Sequence, residues 1–126
     1  MKGFYVQIWC PFQIKKTLTN VHLNYLTSIG VTKLVEPTDA NRKYLWIDEV
    51  FGNNQTRKVD DKLIKLFNQK FHKKSGKVIS IDIPTGLCPD KGEPFLDNAV
   101  KADYTLSIGL YKIGLTQDSA LSLIHI

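Results

Sequence analysis

The sequence has few cysteines and no long apolar run, and each shortage excludes a class of protein. Cys10 and Cys88 are the only cysteines among 126 residues, which excludes a disulfide scaffold and a cysteine-rich metal site, so we expect two reduced thiols. No apolar run approaches the roughly 18 residues of a membrane-spanning helix. The apolar segment from Phe4 to Cys10 contains Gln7 and leads to no small-residue cleavage site, unlike a signal peptide. We therefore expect a soluble, cytoplasmic protein without a membrane partner.

The remaining composition is that of an ordinary globular domain with a basic excess. Hydrophobic residues make up 43% of the chain, with 8 glycines and 5 prolines, which suits a single domain rather than a disordered or fibrous protein. The formal net charge is +5, and much of it lies between Asp61 and Asp82, in Lys62, Lys65, Lys70, Lys73, Lys74 and Lys77. Such a run could contact RNA, but it is more typical of the solvated face of a helix. We therefore disfavour nucleic acid as a partner.

Strand and helix patterns alternate along the chain. We predict strands over 3–10, 31–35, 44–50, 77–83 and 102–110, and helices over 17–29, from about 59 to 72, and over 96–101. The segment 78–83 is rich in β-branched residues, as in a strand that is buried on both faces of a parallel sheet. This order predicts an α/β domain with a mostly parallel sheet flanked by helices. Residues 119–126 fit neither pattern and stay unassigned.

The most informative segment is residues 78–88, Val-Ile-Ser-Ile-Asp-Ile-Pro-Thr-Gly-Leu-Cys. Asp82 comes where the apolar strand ends and a Pro-Thr-Gly loop begins. Because ligands of open α/β sheets bind beyond the carboxyl ends of the strands, Asp82 is a candidate site residue. Spacing alone favours about equally the alternative that Asp82 only bonds backbone N–H groups of the turn.

A second acidic residue, Asp48, ends another apolar strand and precedes a polar loop. This loop offers a glycine for close backbone approach, side chains for hydrogen bonds and two cations for a phosphate. Its residues are Gly52, Asn53, Asn54, Gln55, Thr56, Arg57 and Lys58. An ordinary polar surface turn explains the same residues.

If the two loops adjoin, their carboxylates would repel each other unless a cation or a proton lay between them. Asp48, the Thr85 hydroxyl and loop carbonyls would form an all-oxygen set that suits a hard cation. His22 and His72 fit a helix surface better than a metal site.

Three segments together resemble the YjeF N-terminal domain, the family of the NAD(P)H-hydrate epimerases. They are Asp-x-x-Phe-Gly at 48–52, Ser-Ile-Asp-Ile-Pro-Thr-Gly-Leu at 80–87 and Ala-Asp-Tyr-Thr-Leu-Ser-Ile-Gly-Leu-Tyr-Lys-Ile-Gly at 102–114. The resemblance covers about residues 3–118, and we assign residues 1–118 to one domain of this family. It implies a Rossmann-like three-layer α/β/α fold, incomplete at the N-terminus. It also implies an isomerase that interconverts the R and S epimers of hydrated NADH and NADPH (NADHX and NADPHX).

Carried over residue by residue, the resemblance makes Asp82 the substrate-contacting acid and the proton-transfer residue. It makes Asp48 and Thr85 ligands of one potassium ion, and the loop Gly52–Lys58 part of the wall that binds the hydrate. Thr85 stands where the family often has serine and keeps the hydroxyl. The resemblance also implies a dehydratase, fused or separate and dependent on ADP or ATP, and leaves a homodimer open.

The sequence departs from the family's pattern at Glu49 and Asn54, which replace a small residue and a glycine. Lys112, by contrast, matches a lysine that is frequent in the family, and we assign it no role. The family's Asn-Asn-Gly-Gly-Asp-Gly loop, which belongs before the first strand, does not occur. We therefore expect a fragment that is inactive and poorly soluble alone, with a truncated end over residues 119–126.

Two other functional classes stay open. A related domain is a non-catalytic, RNA-associated scaffold in some eukaryotic decapping proteins, and a nucleotide-binding module without chemistry is a further alternative. The presence of Asp82, Asp48 and the Thr85 hydroxyl together argues against the scaffold, which does not need them.

Overall fold

The chain divides into two compact units, residues 1–39 and residues 40–126. Both come from a computed structural model, which describes residues 3–36, 44–51, 59–72 and 76–121. Every strand pair in these ranges is parallel. The alternation of helices with parallel strands confirms the predicted α/β class.

The first unit is a single strand–helix–strand motif. Strand β1 (Gln7–Trp9) pairs in parallel with strand β2 (Thr32–Leu34), and helix α1 (Thr17–Ser28) connects them. The helix ends as predicted at Gly30, which has a φ of 93° and donates its N–H to the Thr27 carbonyl at 3.1 Å. A positive φ suits glycine because it has no Cβ.

The apolar stripe that predicted α1 is not the buried side of the helix. Leu18, Val21 and Tyr25 are 68%, 55% and 61% exposed, whereas Leu23 is buried. His22 lies on the exposed surface of α1, as predicted.

The second unit contains a three-stranded parallel sheet in the order β3-β4-β5. Its elements in chain order are β3 (Trp46–Asp48), α2 (Asp61–His72), β4 (Val78–Ile81), β5 (Tyr104–Leu106), a 3₁₀ turn (Ile113–Thr116) and α3 (Asp118–Leu121). The register aligns Asp48 with Ser80, and Ser80 with Thr105. Paired residues of neighbouring strands share a face, so these three polar residues form one row across the sheet.

Strand β4 is buried on one face rather than on both. Val78 and Ser80 are fully buried, while Ile79 and Ile81 are only half-buried. The prediction of a strand that is covered on both sides is therefore wrong for this chain.

The predicted helix over 96–101 is also wrong. The backbone of this region bonds to distant groups instead: the Val100 N–H donates to the Thr85 carbonyl at 2.8 Å, and the Ala99 carbonyl accepts from the Asn68 side chain at 2.9 Å. The Lys101 N–H donates to the other end of the Asn68 amide at 2.9 Å. Because these groups are engaged elsewhere, the local helical bonds do not form.

The long connection after β4 packs into the core of this unit. A buried apolar cluster joins it to the end of the chain, and its members are Ile83, Leu87, Ala99, Leu115 and Ala120. Gly114 lets the 3₁₀ turn approach this connection, because a Cβ there would lie 2.5 Å from the Pro89 carbonyl oxygen. Helix α2 buries Ile64 and Phe67 as its sequence predicts, and its Asp61 accepts a hydrogen bond from Asn98 at 2.6 Å.

Among the described residues of the lysine-rich segment, Lys62, Lys65 and Lys77 are exposed, which agrees with the predicted solvated face. Lys65 forms an ion pair with Asp61 at 2.6 Å, and Lys77 forms one with Asp103 at 2.8 Å. The positions of Lys73 and Lys74, and the side chains of Phe71 and His72, lie outside the described part of the chain.

The structure bears on two features predicted from composition, the state of the cysteines and the lack of a membrane-spanning helix. Both cysteines are free thiols, as predicted. In the described ranges, no helix has the length and apolar character needed to span a membrane.

Candidate functional site

A buried carboxylate lies at the end of β3. Asp48 is only 2% exposed. Its Oδ1 accepts the Thr85 hydroxyl at 2.6 Å, and its Oδ2 accepts the Ser80 hydroxyl at 2.8 Å and the Thr85 N–H at 2.9 Å. The sheet register brings Ser80 beside Asp48, and the turn after β4 brings Thr85 back over the same strand end. The predicted neighbours Asp48 and Thr85 are therefore in direct contact.

All three donors to Asp48 are neutral. In the part of the chain that the structure describes, no lysine, arginine or histidine forms an ion pair with it. Burying a carboxylate without an opposite charge is expensive, even when hydrogen bonds satisfy its oxygens. The fully buried Thr85 hydroxyl donates its one proton to Asp48 and keeps lone pairs that can bind a cation. Charge and donor chemistry thus both fit a monovalent cation beside this pair.

A second carboxylate follows β4 with an unusual backbone. Asp82 has a φ of 70°, the left-handed conformation that side-chain-bearing residues rarely adopt. Its N–H donates to the Leu106 carbonyl at 2.7 Å, which extends the bonding between β4 and β5 by one residue. Residues held in this conformation cluster at functional sites, where the surrounding structure maintains them at a cost of about 1–3 kcal/mol.

The Asp82 carboxylate bonds to the loop that follows β5. Its Oδ1 accepts the Ile108 N–H at 3.2 Å and forms an ion pair with Lys112. The ammonium group of Lys112 also donates to the Ile108 carbonyl at 2.8 Å. Both side chains of the pair are largely buried, at 10% exposure for Lys112 and 14% for Asp82. Asp82 thus acts on a distant loop and does more than cap its own turn.

An open cleft of about 410 Å³ lies beside this ion pair. Pro89 and Asp90 line one part of it, and residues 108 and 110–113 line the rest, including Tyr111 and Lys112. Lys112 therefore contacts both the Asp82 carboxylate and the cleft.

The two acidic residues singled out from the sequence each have hydrogen-bond donors of their own. Asp48 is held by Ser80 and Thr85, and Asp82 by Ile108 and Lys112. The two networks meet in sequence at the turn 82–85. The predicted substrate wall Gly52–Lys58 lies outside the described residues.

Sequence reasoning missed two contributors. Ser80 is a hydroxyl residue within an apolar strand, two positions before Asp82, and that contrast was the signal that could have identified it. Lys112 follows Tyr111 in an exposed loop, and nothing in its local pattern indicates an ion pair with a residue 30 positions away.

Thr105 is the third member of the polar row and differs from the other two. Its hydroxyl oxygen is buried and has no hydrogen-bond partner among the residues that the structure describes. It therefore offers a buried hydroxyl on the same sheet that takes no part in the Asp48 network.

Parallel strands that alternate with helices, with carboxylates at the carboxyl ends of β3 and β4, are the features of an open-sheet α/β domain. The chain belongs to the family of the YjeF-related protein N-terminus, whose sequence profile matches residues 1–114.

Curated relatives carry two kinds of name. The chain is 36% identical over 121 residues to the bifunctional NAD(P)H-hydrate repair enzyme Nnr of Gloeobacter violaceus, covering 94% of this chain and 23% of that protein. It is 37% identical over 118 residues to the NAD(P)H-hydrate epimerase of Leuconostoc sp. (strain C2), covering 92% of this chain and 51% of that protein. The chain thus spans about a quarter of the first relative and about half of the second.

Proposed function

We propose that this chain contributes the epimerase site of an NAD(P)H-hydrate epimerase, an isomerase that interconverts the R and S forms of NADHX and NADPHX. One observation carries the proposal: Asp82 is held in a left-handed conformation at the end of β4 and pairs with Lys112, which lines an open cleft. The names of the relatives supply the substrate class, and the family match covers the residues of both carboxylate networks.

Asp82 is the proton-transfer residue in this proposal. Inverting the hydrated carbon of the nicotinamide ring requires one of its bonds to break and re-form. Because this carbon bears both a hydroxyl and the ring nitrogen, loss of the hydroxyl proton lets the C–N bond open to an aldehyde, and ring closure on the opposite face returns the proton to the oxygen. A positioned carboxylate can accept and return that proton, and such groups typically contribute about 10² to 10⁴ in rate. In this proposal the loop Gly52–Lys58 contributes part of the substrate wall, and Arg57 and Lys58 supply positive charge for the phosphates.

Asp48 and Thr85 are the proposed ligands of one potassium ion. The buried charge of Asp48 and the lone pairs of the Thr85 hydroxyl support this assignment, because hard cations prefer oxygen ligands. When bound, the ion would supply positive charge at the end of β3 and would fix the turn 82–85 that carries Asp82.

The bifunctional relatives suggest the setting in which the site works. We propose that a dehydratase, fused or separate and dependent on ADP or ATP, consumes the epimer that this site supplies. The cytoplasm, where nicotinamide nucleotides are reduced, is the proposed location.

The test compares Asp82→Asn with the parent in the complete gene product. A sample enriched in one epimer of NADHX is incubated with each protein, and chromatography follows the ratio of the two epimers. We expect Asp82→Asn to lose at least about 10²-fold in rate and to keep the fold, since the change removes a charge without changing shape. Asp97→Asn, at an exposed loop position, is the matched control and should keep the parent rate.

Two results would contradict the proposal. If the parent protein leaves the epimer ratio unchanged, the proposed epimerase activity is wrong. If the Asp82→Asn variant equilibrates the epimers as fast as the parent and keeps its thermal stability, the activity stands but Asp82 is not its proton-transfer residue.

A further inference from the structure

Lys112 is the residue of the Asp82 network to which the proposed function gives no role. Its ammonium group forms an ion pair with Asp82 Oδ1 and donates to the Ile108 carbonyl at 2.8 Å. The Ile108 N–H donates to that same Oδ1 at 3.2 Å. The Asp82 carboxylate, the Lys112 ammonium group and the backbone N–H and carbonyl of Ile108 therefore form a closed ring of hydrogen bonds. This ring joins the end of β4 to the loop after β5.

This ring is more than a surface ion pair. Exposed pairs contribute little because water and salt screen them, but Lys112 is only 10% exposed and Asp82 only 14%. A partly desolvated ion pair has a more fixed geometry and a stronger attraction than an exposed pair. The cost of burying both groups indicates that their placement has a function beyond stability.

The position of the pair identifies that function. Asp82 follows β4 in a left-handed conformation, which its N–H bond to Leu106 and its side-chain bonds to Ile108 and Lys112 help to maintain. Lys112 also lines the cleft of about 410 Å³. Lys112 thus links the Asp82 carboxylate directly to the cleft.

We propose that Lys112 is a positioning residue for the epimerisation: it fixes the orientation of the Asp82 carboxylate toward the bound substrate. The proposal rests on the proposed function, because it assigns how that same site is held. Lys112 acts through Asp82, and Asp82 contacts the substrate.

The experiment measures kcat and KM for Lys112→Met in the complete gene product. A misplaced catalytic group typically loses about 10²-fold in rate, so we expect kcat to fall by about that factor while KM changes by less than about threefold. Lys112→Arg keeps the charge and should recover most of kcat. Lys101→Met, at an exposed position, is the matched control and should behave as the parent.

A double variant separates positioning from a general loss of structure. If Lys112 acts through Asp82, then Asp82→Asn with Lys112→Met should be no slower than Asp82→Asn alone, because residues that act as a unit are not additive. Independent roles would instead multiply the two losses. Thermal unfolding of Lys112→Met confirms that the measured protein is folded.

Each remaining outcome has one meaning. An active parent with an unchanged kcat in Lys112→Met overturns the positioning role and leaves the proposed function intact. A raised KM with unchanged kcat also overturns it, since Lys112 would then only bind substrate. An inactive parent overturns the proposed function, and the positioning role falls with it.

Discussion

At the scale of single residues, Thr85 lies where the chain passes from one carboxylate network to the other. Its hydroxyl belongs to the Asp48 network. It donates to Asp48 at 2.6 Å, and its backbone N–H donates to the same side chain at 2.9 Å. Thr85 also follows Asp82 by three residues and belongs to the turn that Asp82 begins. A change in the surroundings of Asp48 therefore reaches the turn that carries the second carboxylate.

Thr85→Val tests the proposed potassium site at this scale. The parent should gain thermal stability or activity in potassium relative to an equal concentration of a bulky cation such as tetramethylammonium. The variant should lose that difference, because valine keeps the volume of threonine but removes the oxygen ligand. It should also be less stable in both salts by about 1–3 kcal/mol, since Asp48 loses a buried donor. Thermal unfolding in matched salt series measures both effects.

Thr105→Val is the control for this experiment. It removes a buried hydroxyl from the same sheet, but one without a hydrogen-bond partner among the described residues. Its response to potassium should equal that of the parent. A parent that responds identically to both cations would contradict the potassium assignment.

At the scale of elements, the sequence predicted the helices and strand ends that depend on neighbouring residues along the chain. Helix α2 buries the apolar residues that predicted it, whereas α1 ends at Gly30 as predicted but leaves its apolar stripe exposed. Asp48 and Thr85 could be brought together from their places at strand ends. The helix predicted over 96–101 failed because Ala99 and Val100 bond to residues far away in sequence. Lys112 escaped prediction for the same reason, since no local pattern encodes a contact with Asp82.

The start of helix α2 supports a prediction about pH. A hydrogen bond from Lys65, and after it one from Asn98, lowers the pKa of the Asp61 carboxyl from its ordinary value of 3.8. A lowered pKa in the folded state stabilises the fold above the ordinary value, and this stabilisation is lost as pH falls through the lowered one. Asp61→Asn should therefore lower the unfolding temperature at pH 6, and the difference from the parent should shrink toward pH 3.

Lys65→Met is the companion variant. It removes the first of the two donors, so it should also weaken the dependence of stability on pH between 6 and 3. Thermal unfolding across that range measures all three proteins. Parallel curves for the parent and Asp61→Asn would show that this carboxyl does not contribute to acid sensitivity.

At the scale of the whole molecule, the three-stranded sheet has two unlike faces. One carries the row Asp48, Ser80 and Thr105, of which the first two residues are buried. The register places Ile47 opposite Ile79, and Ile79 opposite Tyr104, on the other face. There Ile47 and Tyr104 are 51% and 50% exposed, and Leu106 is 60% exposed. A run of exposed apolar side chains across neighbouring strands is typical of a surface that associates.

We therefore expect the 126-residue chain, expressed by itself, to self-associate through this face. Leu106→Asp places a charge on this face, in the edge strand β5, and should shift the sedimentation profile toward monomer, because a carboxylate in an apolar contact is strongly unfavourable. The side chain of Leu106 is already exposed, so the change should leave the unfolding temperature nearly as it was. Leu110→Asp is the control: this residue is 87% exposed but belongs to a loop outside the sheet, and its variant should associate like the parent. Equal sedimentation of both variants and the parent would show that the sheet face does not drive association.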